Sequence, residues 1–299
     1  MNWQNAIKDF QLFLKIERGL SQNTIDSYSR DLEKLTLFLE ENQIDFNPIK
    51  IDETTLQQFI YEIAKNVNPR SQARIISGLR SFFDYLIFED YRVTNPTDLI
   101  EAPKIGRKLP DTLSEDEINS LISAIDLSHP QGERNRTILE TMYSCGLRVS
   151  ELITLKISDL FFDEGFIRVI GKGNKQRFVP IHYTTQKYLL FYINDIRNHI
   201  ATQKGFEDTI FLNRRGKGLT RQMIFIILKN LAIHIDLKKK ISPHTLRHSF
   251  ATHLLKNGAD LRAIQQMLGH ESITTTEIYV HLDKSYLQKV VEKYHPRRI

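Results

Sequence analysis

The sequence predicts a mainly α protein of two domains carrying one small β-sheet. Three observations predict it. Apolar residues recur at helical spacing through the first hundred positions. A stretch with two prolines and a glycine, residues 101–112, interrupts that periodicity. Beyond it, strand formers flank a glycine-rich turn at one clear place, within an otherwise helical pattern.

The elements follow in order. Phe10, Phe13 and Leu14 mark a first helix. Ser21 stands where it can cap a second, along which Ile25, Tyr28, Leu32, Leu35 and Leu39 form an apolar stripe. Leu56, Phe59, Ile60 and Ile63 mark a third. Pro69 fits the first turn of a fourth, with Ile75, Ile76, Leu79, Phe82, Phe83 and Leu86 facing inward. Asn95-Pro96 ends the pattern, so residues 1–100 read as a four-helix domain, 101–112 as a linker and 113–299 as a second domain. In that domain Ser114 and Glu117 form a capping box, and a helix over 133–145 ends at Gly146, a C-cap glycine. Phe166–Ile170 and Gln176–Ile181 flank Gly-Lys-Gly-Asn-Lys and predict a hairpin. Helices are expected at 183–200, 220–235, 243–257, 260–268, 272–281 and 285–294.

Composition narrows the function. The chain has 299 residues, 41% hydrophobic and 26% charged, ordinary for a globular protein with a sizeable core. Cys145 is the single cysteine, so no internal disulfide can form, which fits a reducing cytoplasm. No basic segment followed by an apolar run opens the chain, so no leader is expected. The richest apolar stretch, Met223 to Leu228, is far too short to span a membrane. Residues 1–105 carry 12 Lys+Arg against 16 Asp+Glu, whereas 106–299 carry 29 against 20. A basic C-terminal two-thirds suits a polyanionic partner such as nucleic acid, or equally a solvated basic surface.

Six residues are candidates for chemistry. His244 and Arg247 lie at i and i+3 behind Pro243, so they share a face at a helix start, where an anion is favoured. Histidine shuttles protons near neutral pH and arginine clamps a phosphate in bidentate fashion. Alone, this pair also reads as a capped surface helix. His244 and His248 have zinc-compatible spacing, but Thr-Leu-Arg between them lacks the glutamate of a zincin, and Arg247 would repel a cation. No metal site is therefore expected, and His248 and His253 are read as structural. The segment from Leu268 through His270 to Tyr279 turns at Gly269, and Ser272 can cap the helix that follows. A tyrosine hydroxyl has a pKa of about 10, so only about one in a thousand is ionised at pH 7. As a nucleophile it needs neighbouring cations or a base. Tyr279 alone also reads as a core tyrosine with a satisfied hydroxyl. Arg148, between Gly146 and a capping Ser150, reads as a helix-to-helix junction or as a surface arginine. Lys172 sits at the hairpin tip, where glycines let backbone approach a phosphate; the same residues also read as a basic turn. The spacing is not that of a nucleotide-binding loop.

Together, Gly146 to Leu152, Gly171 to Lys175, His244 to His253 and Leu268 to His281 resemble the tyrosine recombinases in order and spacing, most closely the Xer-type chromosome-dimer-resolution enzymes. The resemblance covers nearly the whole chain, including Leu20 to Tyr28. It implies an N-terminal SAM-like core-binding domain and a C-terminal α+β catalytic domain, clasping duplex DNA as a C-shaped clamp. It implies that Tyr279 forms a 3′-phosphotyrosyl bond and releases a 5′-hydroxyl. Arg148 and Arg247 would hold the scissile phosphate, Lys172 would protonate the leaving oxygen, His244 would serve as acid/base, and His270 would hydrogen-bond the phosphate. No metal or nucleotide cofactor is implied, because the phosphotyrosine stores the bond energy. The implied assembly is a tetramer on two DNA sites, with itself or a paralogue, in the cytoplasm at the nucleoid. The implied role is resolution of chromosome dimers at a dif-like site, under regulation by a DNA-translocating motor protein. Leu287, Val290 and Val291 on the last helix are expected to dock on a neighbouring protomer. Lys175, Arg177, Arg221, Arg214 and Arg215, with Arg70 and Arg74 from the first domain, are expected DNA backbone contacts. An integrase of a phage or mobile element, a type IB topoisomerase and a DNA-binding module without catalysis stand as alternatives.

Overall fold

Four helices build the N-terminal unit: α1 (Trp3–Ile16), α2 (Gln22–Glu41), α3 (Glu53–Ala64) and α4 (Pro69–Phe88). Their starts follow from local chemistry. Asn2, Asp52 and Asn68 each accept the backbone N–H three residues on, satisfying a donor the helix itself leaves open. Ser21 stands at the N-cap of α2, but its hydroxyl meets the Thr24 hydroxyl at 3.0 Å instead of a backbone N–H. The expected apolar stripes are the buried faces, and Ile25, Leu32, Leu35, Ile75, Leu79, Phe82 and Phe83 join one core. Each such side chain contributes about 1.5–3 kcal/mol by leaving water. Gly78 lets α4 approach α2, since a Cβ there would lie 3.1 Å from the Tyr28 ring.

The computed structural model describes residues 1–104, 111–269 and 284–297. The chain divides into two units, 1–108 and 109–299, and the division falls inside the stretch 101–112.

The second unit contains α5 (Glu115–Ser123), α6 (Gly132–Cys145) and α7 (Val149–Ile153). The three-stranded antiparallel sheet follows: β1 (Leu160–Phe161), β2 (Phe166–Ile170) and β3 (Gln176–Pro180), in that order. Then come α8 (Tyr183–Phe191), α9 (Arg221–His234), α10 (Pro243–Lys256), α11 (Leu261–Leu268) and α12 (Lys284–Tyr294). The capping box at Ser114 and Glu117 is formed in both directions. The hairpin pairs Phe166 with Pro180 and Ile170 with Gln176. β1, two residues long, is too short to show alternation in the sequence. The helix expected over 183–200 changes hydrogen bonding after Phe191, passing through a π turn at Tyr192–Ile196 and a 3₁₀ turn at Arg197–His199. The helix expected at 272–281 lies outside the described residues.

One expectation is overturned. Val290 and Val291 are 3% and 2% exposed within this unit's own core, and Leu287 packs against the same core. The apolar face of α12 is therefore covered by its own chain and is not free for a neighbour. Its end is also fastened: Asn257 donates to the Tyr294 carbonyl at 2.9 Å, and Arg297 reaches Glu140 at 3.0 Å and Asn119 at 2.6 Å.

Candidate active site

The site begins at the junction of α6 and α7. Gly146 ends α6 in the left-handed region with φ 58°, and a Cβ there would stand 2.5 Å from the Phe250 ring. Only glycine fits both conditions. The chain then turns so that Arg148, extended, is the N-cap of α7. The expected capping Ser150 lies inside that helix instead. Its place is taken by Glu151, whose Oε2 accepts the Arg148 backbone N–H at 2.8 Å.

Glu151 is the hub. Its side chain is 1% exposed and meets three guanidinium groups. Arg148 Nη1 donates to Oε1 at 2.8 Å. Arg177 donates Nη1 to Oε1 at 2.7 Å and Nη2 to Oε2 at 2.9 Å, a bidentate pair. Arg247 Nη1 stands 3.8 Å from Oε2. Burial pushes the Glu151 carboxyl up, but the Arg177 hydrogen bonds and charge, then the Arg148 N–H groups, prevail and hold it below the usual carboxylate value.

The same three arginines close the C-terminal end of α11, whose last carbonyls lack helical partners. Arg177 Nε donates to the Met267 carbonyl at 2.8 Å. Arg247 Nη2 donates to the Leu268 carbonyl, and Arg148 Nη2 to the Gly269 carbonyl at 3.2 Å. Three consecutive carbonyls thus each receive one guanidinium. Arg247 also donates to the Gly146 carbonyl at 2.7 Å, tying the two junctions together. Gly269 caps α11 in the left-handed region, and the next residue in sequence is His270.

One buried carboxylate among three guanidiniums leaves an excess of positive charge. Burial, then the like charge of Arg148, outweighs Glu151 and draws the Arg247 pKa down to about 9. An entering anion would relieve that strain, and two arginines can grip a phosphate through several N–H donors.

The structure brings Arg148 and Arg247 together. His244 lies in the first turn of α10 and is exposed, three residues before the buried Arg247. Pro243 opens that helix, as expected, and Ser242 caps it. Lys172 falls in the hairpin turn, where Gly173 and Asn174 both have positive φ. His270 and Tyr279 lie outside the described residues. His253 is structural, as expected: its Nδ1 shares a hydrogen bond of 2.8 Å with the Tyr143 hydroxyl.

The expected DNA contacts divide. Arg70, Lys175, Arg214, Arg215 and Arg221 are exposed. Arg74 directs its guanidinium at Asp31 and at Ser27 Oγ, with 40% of its side chain exposed. Arg177 is a correction. Its side chain is 10% exposed, and Nε and both terminal nitrogens are committed to protein groups, so it does not face a DNA backbone. Glu151 was missed in the sequence, although a glutamate three residues after a helix N-cap is a capping signal.

Comparison with known proteins bears on the family and the fold. The phage integrase family matches residues 111–285, and its N-terminal SAM-like domain matches 7–90. Tyrosine recombinase XerD of Staphylococcus haemolyticus is 44% identical over 298 residues, covering 98% of this chain and 99% of the relative. XerD of Oceanobacillus iheyensis is 45% identical, covering 98% of each. Among solved structures, XerH bound to its difH substrate before cleavage is 25% identical with a TM-score of 0.68, covering 86% of this chain and 77% of the other. XerA recombinase is 32% identical with a TM-score of 0.50, covering 99% and 100%. The fold is also that of a lambda integrase tetramer bound to a Holliday junction, at a TM-score of 0.72, 20% identity and coverage of 95% and 80%.

Proposed function

The chain belongs to the phage integrase family of tyrosine recombinases, enzymes that break and rejoin DNA, and from that premise we propose how its own residues do so. Tyr279 attacks a DNA phosphodiester. Its phenolic oxygen bonds to phosphorus, the bond to the 5′ oxygen breaks, and the 3′ end remains on the enzyme. Lys172 gives the leaving 5′ oxygen its proton, and His244 takes the tyrosine proton. Arg148 and Arg247 hold the phosphate, whose non-bridging oxygens gain charge in the transition state, and His270 adds a hydrogen bond. Attack by a 5′-hydroxyl from the second duplex reverses each step and restores Tyr279.

The observation that carries this reading is the convergence of Arg148 and Arg247. They share Glu151 and reach successive carbonyls, Gly269 and Leu268, at the point where the chain enters His270. Each lost donor of this kind typically lowers the rate by ~10²–10³.

The substrate is a chromosomal dif-like site, and the active form is a multimer spanning two duplexes. Relatives named XerD and XerH complexes with difH support that choice. A nicked suicide duplex tests the chemistry. The wild type should give an SDS-resistant protein–DNA adduct and Tyr279→Phe none. An adduct of unchanged yield in Tyr279→Phe would sink the assignment.

A further inference from the structure

Arg177 differs from its two neighbours at the Glu151 hub. Arg148 keeps 31% of its side chain exposed, Arg177 10% and Arg247 8%, so the difference lies in how the nitrogens are committed and not in exposure. Arg177 spends Nε and both terminal nitrogens on two protein groups, the Glu151 carboxylate and the Met267 carbonyl. Its aliphatic stem lies against Gly269, where a Cβ would come 3.1 Å from Arg177 Cδ. It therefore links three elements: β3, which carries it, α7, which carries Glu151, and the end of α11.

The consequence concerns the bound phosphate. Arg148 and Arg247 use N–H groups on the Gly269 and Leu268 carbonyls. A phosphate between them competes for those donors. The carbonyls then lose partners at the point where the chain leads to His270 and Tyr279. The Arg177–Met267 bond does not face that competition, because its arginine is turned to the protein.

We propose that Arg177 is a positioning residue for DNA cleavage. It fixes Glu151, and through it Arg148, and it holds the end of α11 when the other two arginines turn to the phosphate. This rests on the reading of Arg148 and Arg247 as phosphate ligands. Arg177 touches no DNA, so its effect falls on the rate of the chemical step and not on binding. A misplacement of about 1 Å in a reacting group can lower a rate about 10²-fold.

The test uses the full-length protein, Arg177→Lys and Arg177→Gln, and a nicked suicide duplex containing a dif-like site. Two quantities are read: the Kd for the duplex as a function of salt, and the single-turnover rate of adduct formation at saturating protein. The expected result is a rate lower by about 10–100-fold in Arg177→Gln. Kd should stay within about threefold, with the salt slope unchanged. Arg177→Lys keeps the charge but not the bidentate pair, so its rate should fall between the two. Cleavage at the wild-type rate in both variants would overturn the proposal. So would a salt slope shallower by about one, which marks a lost phosphate contact. Unfolding of both variants at the assay temperature would make Arg177 a residue of the fold alone and overturn it too. Arg148→Gln and Tyr279→Phe run beside them. If either cleaves like wild type, the active-site reading itself has failed, whatever the Arg177 variants do.

Discussion

Glu151 accepts the backbone N–H of Arg148 through Oε2 and its guanidinium through Oε1, both at 2.8 Å, so one side chain caps α7 and aims the arginine that opens it. Removing that carboxylate leaves three guanidiniums with a shared buried partner gone. Breaking a buried ion pair from one side typically destabilises by about 3–5 kcal/mol. Glu151→Gln should therefore lower the urea midpoint of the full chain and slow adduct formation together. A midpoint equal to the wild type would show that the hub does not hold the fold.

The acid limb provides a separate check on the same residue. The folded carboxyl of Glu151 lies below its usual value, with burial opposing and Arg177 and Arg148 prevailing. Its stabilisation is present above the unfolded pKa and is lost as pH falls through the lower folded value. Glu151→Gln, which cannot titrate, should show a shallower loss of stability below about pH 4.5, the ordinary range for a glutamate. Parallel curves for the two proteins would contradict the depressed pKa.

Gly146 and Gly269 both have positive φ, yet they should tolerate alanine differently. A Cβ at Gly146 meets the Phe250 ring at 2.5 Å, deep in the core. At Gly269 the nearest atom is Arg177 Cδ at 3.1 Å, a milder approach that presses on the side chain held by Glu151 and Met267. Left-handed backbone strain applies to both at about 1–2 kcal/mol. Overpacking adds about 1–3 kcal/mol at Gly146. Thermal unfolding should rank Gly146→Ala well below Gly269→Ala, while Gly269→Ala disturbs cleavage more than stability. Equal melting temperatures would remove the Phe250 contact as the cause.

Much of the fold around this site was legible in the sequence, and the limits are physical. Ser114–Glu117, Pro69 and Gly146 act through neighbours in sequence, so their roles showed in spacing alone. The hairpin was visible because its strands flank its own turn. Arg177 was misread, because its partners Glu151 and Met267 lie 26 and 90 residues away. An arginine beside a basic turn looks like a DNA contact until that pairing is seen. α12 was misread for a related reason. Apolar spacing shows that a helix face will be covered, but not by which surface, and here Val290 and Val291 enter their own core.

The excess charge at the hub predicts a response to simple anions. Arg247 is drawn down to a pKa of about 9 by burial and by Arg148, so it stays charged at neutral pH but holds that charge at a cost relative to water. An anion bound between the two arginines should offset that penalty. Inorganic phosphate should raise the melting temperature above that in chloride at equal ionic strength, and Arg247→Gln should lose most of the difference. The same increment in wild type and Arg247→Gln would place the anion elsewhere.

His295 supplies a second acid-sensitive window, distinct from that of Glu151. It is fully buried, 5.0 Å from the Tyr143 ring centre and 5.5 Å from that of Phe250, and burial pushes its pKa down to about 3. The unfolded chain binds this proton at about pH 6.5 and the folded chain does not. Stability therefore falls as pH drops from about 6.5 toward 3, because protonation favours the unfolded state. His253, also pushed down by burial, adds to that slope. Glu140, whose carboxyl is pushed up by burial against the pull of Arg297, opposes it. The difference between wild type and His295→Leu isolates the one residue. That variant should lose less stability between pH 6.5 and 4.5, measured by urea unfolding at each pH. A variant curve parallel to the wild type across that range would mean that His295 is protonated in the fold, contrary to its burial.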